Sequence, residues 1–305
     1  MDWLAKMNAA IAYVEDNLNG EISYEELGHI ACCSFHNFFR IFSFITDTSL
    51  SDYIRKRRLT LAALELQEYG DSLKVIDLAI KYGYDSPVSF ARAFQQLHGV
   101  TPTEARMHGV TLKAYPRISF QISIKGEKEM DYRIETREAF QVFGVEELFS
   151  IEAAHMEENS TAPSARKPSD LWADSLKNGV NDKLEADAGD LPAFVDQDLS
   201  KVHAVCDYRE VATGLFPYML CAFRTHNSNI DGYKVVDIPA HTWAIFPTRF
   251  RWEDADTAIG SLYKRIFSEW IPTSSYEQVG SLDMELYGGD DEYGYIEIWL
   301  AVIKK

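Results

Sequence analysis

Hydrophobic residues follow a helical period through the first third of the chain and a two-residue period through much of the remainder. The first helical stripe predicts a helix over residues 4–18, and a second long helix is predicted from Leu50 to Glu68. Beyond residue 116, polar and apolar residues alternate as they do in half-buried strands. The pattern therefore predicts two domains, an all-α N-terminal domain and an α+β C-terminal domain built on an antiparallel sheet. The members of the first stripe are Leu4, Met7, Ile11, Val14 and Leu18.

The segment from Lys74 to Arg106 has the pattern of a helix-turn-helix. Gly83 follows the first short helix, at a place where a tight turn favours a residue that tolerates positive φ. Ser86 and Pro87 then predict the N-cap and first residue of a second helix, which Gly99 ends. Such a second helix is built to lie in a DNA major groove, although many helical hairpins are only structural. The pattern alone leaves both roles open.

The same motif occurs earlier in the chain, at an offset of 52 residues from Ser34 to Ser86. The sequence therefore predicts two helix-turn-helix units in the N-terminal domain. In the first unit Cys32 stands where the turn glycine is expected, so its backbone must accept an awkward conformation if that turn needs positive φ. The other corresponding pairs are Phe38/Phe90, Arg40/Arg92 and Phe42/Phe94.

The second unit closely resembles the second half of the AraC-type DNA-binding domain. The residues that carry this resemblance are Leu78-Ala79, Gly83, Tyr84, Ser86, Phe90-Arg92-Phe94, Gly99-Val100-Thr101-Pro102 and Arg106. The resemblance implies that double-stranded DNA and RNA polymerase are partners, and that two recognition helices enter successive major grooves. By position, the residues expected to face DNA are His36, Asn37, Phe39 and Arg40 in the first unit, and Val88, Ser89 and Arg92 in the second.

Charge limits how this DNA binding could work. The chain carries a formal net charge of −17, of which residues 1–115 contribute −3 and residues 116–305 contribute −14. A charge of −3 is low for a DNA-binding domain, because positive charge supplies much of the affinity. The run Arg55-Lys56-Arg57-Arg58 is the one dense basic cluster in the sequence, and such a run is most often a solvated face. We expect phosphate contacts from at least two of its residues, with Arg55, Lys56 and Arg58 as the candidates.

The helical pattern stops around Val110 to Pro116, where we place a linker. The expected organisation is a DNA-binding domain over residues 1–112, linker and first strand over 113–130, and an effector-binding domain over 116–305. A first strand is predicted from Arg117 to Ile124 and an exposed loop over 157–170. Helices are predicted from Leu171 to Leu184 and from Asp254 to Trp270. Further strands are predicted at Tyr132–Arg137, Phe140–Glu146, Val202–Tyr208, Tyr218–Arg224, Tyr233–Ile238, Thr242–Pro247, Met284–Tyr287 and Ile296–Ile303.

The last of these helices has a carboxylate on its apolar stripe. Glu269 lies three residues after Ile266 and seven after Leu262, so α-helical spacing puts it on the buried side. A carboxylate there loses its charge, finds a partner or awaits a ligand. An ion pair between Arg265 and Glu269 at the helix edge explains the spacing equally well.

The C-terminal half resembles the GyrI-like effector-binding domain. The resemblance rests on Glu269-Trp270-Pro272-Ser274-Tyr276, on Glu285-Tyr287 and on Trp299 in the closing strand. It implies a small-molecule effector in an aromatic-lined pocket, with Glu269 as the charged anchor. A carboxylate among aromatic rings favours a cationic, aromatic ligand. The expected walls are Trp172, Tyr218, Phe246, Tyr276 and Trp299.

The leading hypothesis is thus a ligand-controlled, sequence-specific DNA-binding regulator rather than an enzyme. The competing hypothesis is a small-molecule hydrolase that uses Glu269 and Tyr276. A third is a binding module whose pocket is vestigial. No catalytic residue, metal ligand or cofactor is predicted, because nucleophile-elbow, phosphate-loop and metal-ligand motifs are missing from the sequence.

The remaining features predict a cytoplasmic protein. No run of about 18 apolar residues is present, so no membrane partner is expected. The first residues have the pattern of an amphipathic helix rather than a signal peptide. The four cysteines have no disulfide or metal-ligand spacing, and buried free thiols are the simplest interpretation.

Overall fold

The structure is a computed structural model that describes residues 3–107, 109–121, 129–150, 166–212 and 214–305. The chain divides into two compact units. Unit 1 comprises Met1–Phe38 and Thr48–Gln121, and unit 2 comprises Phe39–Asp47 and Ile122–Lys305. A short segment from the N-terminal region, residues 39–47, therefore belongs to the second unit.

Unit 1 is helical, as predicted, and Ser86 and Gly99 cap a helix at the two ends that the sequence predicts. Ser23 accepts a hydrogen bond from the backbone N–H of Glu26, and Ser86 accepts one from that of Ser89. Gly99 ends the last helix with φ 80°. The helices of the N-terminal region are α1 (Trp3–Asp16), α2 (Tyr24–Ala31), α3 (Phe35–Thr46), α4 (Leu50–Tyr69), α5 (Val75–Lys81) and α6 (Pro87–His98). Of these, α3 belongs to unit 2 from Phe39 onward.

The segment from Val110 to Gln121 lies along unit 1 without forming a strand. The amide of Phe120 donates to Asn8 Oδ1 at 2.8 Å, and Asn8 Nδ2 donates back to the Phe120 carbonyl at 2.9 Å. The amide of Ile118 similarly donates to the Tyr53 hydroxyl. The predicted first strand is therefore wrong over residues 117–121, because helix side chains satisfy this backbone. Its end, at residues 122–124, lies outside the described residues.

Among its described residues, unit 2 contains one sheet of eight antiparallel strands. Alternate residues of the strands fill a core that includes Trp243, Met284 and Trp299. The strand order is β1-β6-β8-β7-β3-β4-β2-β5. The strands are β1 (Arg133–Arg137), β2 (Phe140–Ser150), β3 (His203–Cys206), β4 (Leu215–Phe223), β5 (Lys234–Ile238), β6 (His241–Arg251), β7 (Tyr276–Gly289) and β8 (Tyr293–Lys304).

Two of the predicted helices in unit 2 differ from the structure. The helix expected over Leu171–Leu184 is two helices, α7 (Pro168–Lys177) and α8 (Val180–Ala188), separated at Gly179 with φ 70°. The helix expected over Asp254–Trp270 is α9 (Ala255–Arg265), which continues as one π-helical turn at Ile266–Trp270. Most of the loop predicted over 157–170 lies outside the described residues.

Over the described ranges, no helix is long and apolar enough to cross a membrane. Within the same part of the chain, no group of histidine, cysteine, aspartate or glutamate residues is arranged to hold a metal ion. All four cysteines are free thiols, and Cys206 and Cys221 are buried.

Candidate functional site

Helix α6 presents a polar outer face on unit 1. Phe90 and Phe94 are fully buried in the unit core, which fixes the inner face of the helix. Val88, Ser89 and Arg92 are exposed on the other face, and Val88 is 78% exposed. These three are the residues that the sequence predicts to face DNA in the second unit. The outer face of α6 therefore offers a cation, a hydroxyl and an apolar contact.

Helix α3 has the same inner pattern but no solvent-facing side at its first turns. His36, Asn37, Phe39 and Arg40 are each at most 5% exposed. In this conformation these four side chains are therefore not available to face a DNA groove, which is the role that the sequence predicts for them. Farther along the same helix, the ring of Phe44 stacks on Tyr263 with 4.8 Å between centroids.

The basic cluster of α4 is held mainly by groups within unit 1. Arg55 and Lys56 both pair with Asp52, at 2.5 and 2.6 Å. Arg58 donates to the carbonyls of Leu18 at 2.9 Å and Gly20 at 2.8 Å. The three predicted phosphate contacts would therefore have to compete with internal ion pairs and hydrogen bonds.

A cavity of about 250 Å³ lies in unit 2, where the ends of α7 and α9 approach one face of the sheet. Strand alternation explains its polar floor. Leu282, Met284 and Leu286 of β7 point into the core, whereas Asp283, Glu285 and Tyr287 share the opposite face. The cavity is lined by Arg40, Phe44, Pro168, Ser169, Trp172, Cys206, Phe216, Tyr218, Asp256, Ile259, Gly260, Tyr263, Glu285 and Tyr287.

Glu285 is the centre of the cavity's hydrogen-bond network. Its Oε2 accepts from the Tyr287 hydroxyl at 2.8 Å and from the Tyr218 hydroxyl at 3.0 Å. Its Oε1 lies 2.9 Å from the Tyr263 hydroxyl. Trp172 Nε1 donates to Tyr218 at 2.8 Å and so orients that ring. The carboxylate therefore has three tyrosine partners and an indole behind them.

Protonation of Glu285 is tied to its neighbour Asp283. Desolvation raises the pKa of Glu285, the negative charge of Asp283 raises it further, and hydrogen bonds from the tyrosines offset part of the shift. The Tyr263 hydroxyl lies 2.5 Å from Asp283 Oδ2 as well as near Glu285, but it has one proton to donate. The two carboxylates thus compete for it, which also favours a proton on Glu285.

Arg40 balances the charge of Asp283. Its Nη1 and Nη2 donate to Asp283 Oδ1 and Oδ2 at 2.7 and 2.9 Å, a bidentate pair in which Asp283 is fully buried. The guanidinium carbon also lies 4.9 Å from the centre of the Tyr263 ring. Burial opposes the charge, but Asp283 outweighs it, and the pKa of Arg40 stays well above its usual value.

Glu269 does not line this cavity. It pairs with Arg265 at 3.0 Å, and its side chain is 47% exposed, as the alternative ion-pair interpretation expects. The π-helical turn at Ile266–Trp270 shifts the phase of the helix, so α-helical spacing no longer predicts which face Glu269 occupies. Assigning Glu269 as the pocket carboxylate is therefore wrong for this cavity, and Glu285 holds that position.

Of the five aromatic residues predicted as pocket walls, two line this cavity. Trp172 and Tyr218 line the cavity. Phe246 and Trp299 are fully buried instead, and Tyr276 stacks on Trp270 outside the cavity. Because neither Glu269 nor Tyr276 lines it, the hydrolase hypothesis loses its proposed pair there. Sequence reasoning missed Tyr263 and Asp283, although the alternation in Leu282–Tyr287 could have placed Asp283, Glu285 and Tyr287 on one face.

Residues 133–302, more than half of the chain, match the Cass2 family, described as integron-associated effector binding proteins. The chain belongs to the Cass2 effector-binding family. Residues 27–108 of this Cass2-family protein also match a helix-turn-helix domain family. Both resemblances found in the sequence, AraC-type and GyrI-like, are thereby confirmed.

The helix-turn-helix part of this Cass2-family protein has curated relatives among transcription regulators. The HTH-type transcriptional activator AarP of Providencia stuartii is 35% identical over 97 residues, which are 32% of this chain and 70% of AarP. The regulatory protein SoxS of Escherichia coli K12 is 31% identical over 96 residues, which are 32% of this chain and 88% of SoxS. The protein is therefore an AraC-type DNA-binding transcription regulator with an effector-binding domain.

One solved structure similar to this Cass2-family protein is that of SAV2435 bound to tetraphenylphosphonium. It is 16% identical in sequence, with a TM-score of 0.42, and the match covers 57% of this chain and 94% of SAV2435.

Proposed function

We propose that the cavity of unit 2 binds a small cationic compound with aromatic surface, and that this effector controls DNA binding by the helix-turn-helix units. The observation that carries the proposal is Glu285, an ionisable carboxyl held by three tyrosine hydroxyls on the floor of an aromatic-walled cavity. A structural ion pair would place a basic side chain against such a carboxyl. Glu285 has tyrosines instead, and the neighbouring arginine pairs with Asp283.

The physical reasons favour a cation over a neutral or anionic ligand. Desolvation makes an ionised Glu285 costly, and a cation seated beside it recovers that cost through Coulomb attraction in a poorly solvated place. Aromatic faces add cation–π attraction for a charge that is spread over a large, weakly hydrated ion. The cavity volume of about 250 Å³ suits a compact ligand or part of a larger one.

For DNA, the proposal assigns base and phosphate contacts to the exposed face of α6, with Arg92 as the principal cation. This assignment is supported by the exposure of the face and by the side-chain cap of Ser86 at the start of the helix. Because AarP is a transcriptional activator, contact with RNA polymerase in the DNA-bound state is part of the same proposal.

The test uses two ions of matched shape and opposite charge, tetraphenylphosphonium and tetraphenylborate. Titration calorimetry with the full chain should show binding of the cation and at least about tenfold weaker binding of the anion. Glu285→Gln should weaken cation binding about tenfold. Glu269→Gln should leave it unchanged, because Glu269 lies outside the cavity and is already paired with Arg265.

Two results would overturn the ligand proposal. One is equal binding of the two ions, which would make the site merely apolar. The other is that Glu269→Gln no longer binds the cation whereas Glu285→Gln binds it as tightly as the wild-type chain does. Glu269 would then be the charged anchor, as the sequence predicted.

A further inference from the structure

The cavity already contains a cation of the protein's own. Arg40 lines it, lies 4.9 Å from the centre of the Tyr263 ring and pairs with Asp283 through both terminal nitrogens. Its environment therefore has the features that an effector cation would use: an aromatic face and a carboxylate in a place with little water.

The position of Arg40 in the sequence links this cation to DNA recognition. Arg40 corresponds to Arg92 in the repeated motif, and Arg92 is exposed on α6. Helix α3 begins in unit 1, but from Phe39 onward it belongs to unit 2. The side chain that the repeat places on a DNA-reading face is therefore held by residues of the effector-binding unit.

We propose that Arg40 is a tethered competitor for the effector site, so that an effector cation displaces Arg40 from Asp283 and Tyr263 and releases α3 to contact DNA. This inference rests on the proposed function of the cavity.

The exchange is balanced in charge, which makes it reversible. Removing Arg40 from Asp283 would leave a fully buried carboxylate without its partner, and that state is costly on its own. An effector cation near Glu285 and Asp283 supplies the missing charge, so release of Arg40 and entry of the effector favour each other. Linkage then requires that a protein bound to DNA through Arg40 also bind the effector more tightly.

The first measurement is the affinity for tetraphenylphosphonium in the full chain. Arg40→Gln removes the competitor and should tighten binding by at least about fivefold, the lower end of ordinary coupling between sites. The matched control is Arg265→Gln, which removes another cation of unit 2 that is paired outside the cavity. It should change the affinity less than about twofold if general charge effects are small.

The second measurement is hydrogen exchange of the backbone amides of α3, followed by mass spectrometry. Saturating tetraphenylphosphonium should speed exchange in Phe35–Thr46 and leave α6 unchanged. The double variant Arg40→Gln/Asp283→Asn removes both charges of the ion pair, so neither residue is left as an ion without its partner. Its α3 should exchange fast without ligand and respond no further, which keeps the test valid if Arg40→Gln alone folds poorly.

The outcomes separate this inference from the function on which it rests. If tetraphenylphosphonium fails to bind the wild-type chain, the proposed ligand class is wrong and this inference fails with it. If it binds, but Arg40→Gln binds no more tightly and α3 exchange does not change, the cavity is an effector site and Arg40 is only a structural ion pair.

Discussion

Helices α3 and α6 start from one motif and have opposite outer surfaces. In both helices two phenylalanines, four residues apart, are buried on the inner face: Phe38 and Phe42 in α3, and Phe90 and Phe94 in α6. The outer arginine differs: Arg92 is exposed, whereas Arg40 is 5% exposed and paired with Asp283.

The difference follows from the outer positions rather than from the motif. Where α6 has Ala91 and Gln96, α3 has Phe39 and Phe44 at the same offset. Phe39 is 1% exposed, and Phe44 stacks on Tyr263. Large aromatic side chains gain more from burial than from water, so α3 is suited to packing and α6 to a polar partner. A repeated motif thus fixes the inner face of a helix and leaves its role open.

Truncating each arginine in turn should show the largest difference between the two helices. We expect Arg40→Ala to lower the free energy of unfolding by about 3–5 kcal/mol, because it leaves Asp283 buried and unpaired. Arg92→Ala should change it by less than about 0.5 kcal/mol, since an exposed arginine makes little contribution. Urea unfolding followed by tryptophan fluorescence measures the difference, because five of the six tryptophans lie in unit 2.

The control for this prediction is Asp283→Asn combined with Arg40→Ala, which removes both charges. This variant should recover part of the lost stability, because the cost arises from the unpaired carboxylate. Equal stability of the two single arginine variants would mean that the Arg40–Asp283 pair contributes nothing in solution.

For DNA binding, the exposed arginine of α6 should have a large effect. Arg92→Ala should weaken specific binding to the DNA upstream of the protein's own gene by about 1–3 kcal/mol. A gel-shift titration at two salt concentrations measures this, and the salt slope should fall by about one if Arg92 contacts a phosphate. Gln96→Ala, on the same helix, is the control and should leave the specific footprint intact. An unchanged footprint with Arg92→Ala would remove Arg92 from the interface.

Local signals in the sequence were reliable where one short segment determined the outcome. Ser86, Pro87 and Gly99 predicted the two ends of α6, and Cys32 has the left-handed backbone, φ 54°, that its place in the turn suggested. The sequence also located the strands of the sheet, although β7 begins at Tyr276, eight residues before the predicted start at Met284. The exception at residues 117–121 arose because Asn8 and Tyr53 satisfy that backbone from distant helices.

The candidate site was predicted less well, because its geometry depends on long-range contacts and on one irregular turn. Arg40 and Asp283 are 243 residues apart in the chain, and no periodicity relates them. The π-helical turn at Ile266–Trp270 shifted the phase on which the choice of Glu269 rested. Glu285 was visible in the motif Glu285-Tyr287, but its role required knowing that Tyr218 and Tyr263 meet it.

The raised pKa of Glu285 predicts that the stability of unit 2 and its affinity for a cation both depend on pH. Because the pKa of Glu285 is raised, the group is more protonated in the folded protein than in the unfolded chain. Its contribution to stability is therefore present at low pH and lost as pH rises through the raised pKa. Affinity for tetraphenylphosphonium should change in the opposite sense and rise with pH, by up to about tenfold. Calorimetry between pH 4 and 8, a span of about four units around ordinary carboxyl and histidine values, measures it.

Two comparisons show whether Glu285 is responsible for that profile. Glu285→Gln should flatten it, whereas Glu269→Gln should keep it, because only Glu285 is in contact with Tyr218, Tyr263 and Tyr287. A profile that persists in Glu285→Gln would show that Glu285 is not the group responsible for it.

The smallest expected effect distinguishes the turns that precede the two helices. Cys32 has φ 54° before α3, and Gly83 has φ 76° before α6. Cys32→Gly should relieve about 1 kcal/mol of backbone strain, but the freer unfolded chain offsets part of this gain, so the net stabilisation is about 0.5 kcal/mol. Gly83→Ala should instead lower the stability of the protein. An alanine there would have to adopt a positive φ, and its Cβ would lie 2.9 Å from Arg58 Nη1. Opposite shifts in the urea midpoint would show that the first turn tolerates a backbone strain that the second turn does not. A loss of stability in Cys32→Gly would instead mean that the thiol side chain of Cys32 stabilises the fold by more than the strain of its backbone destabilises it.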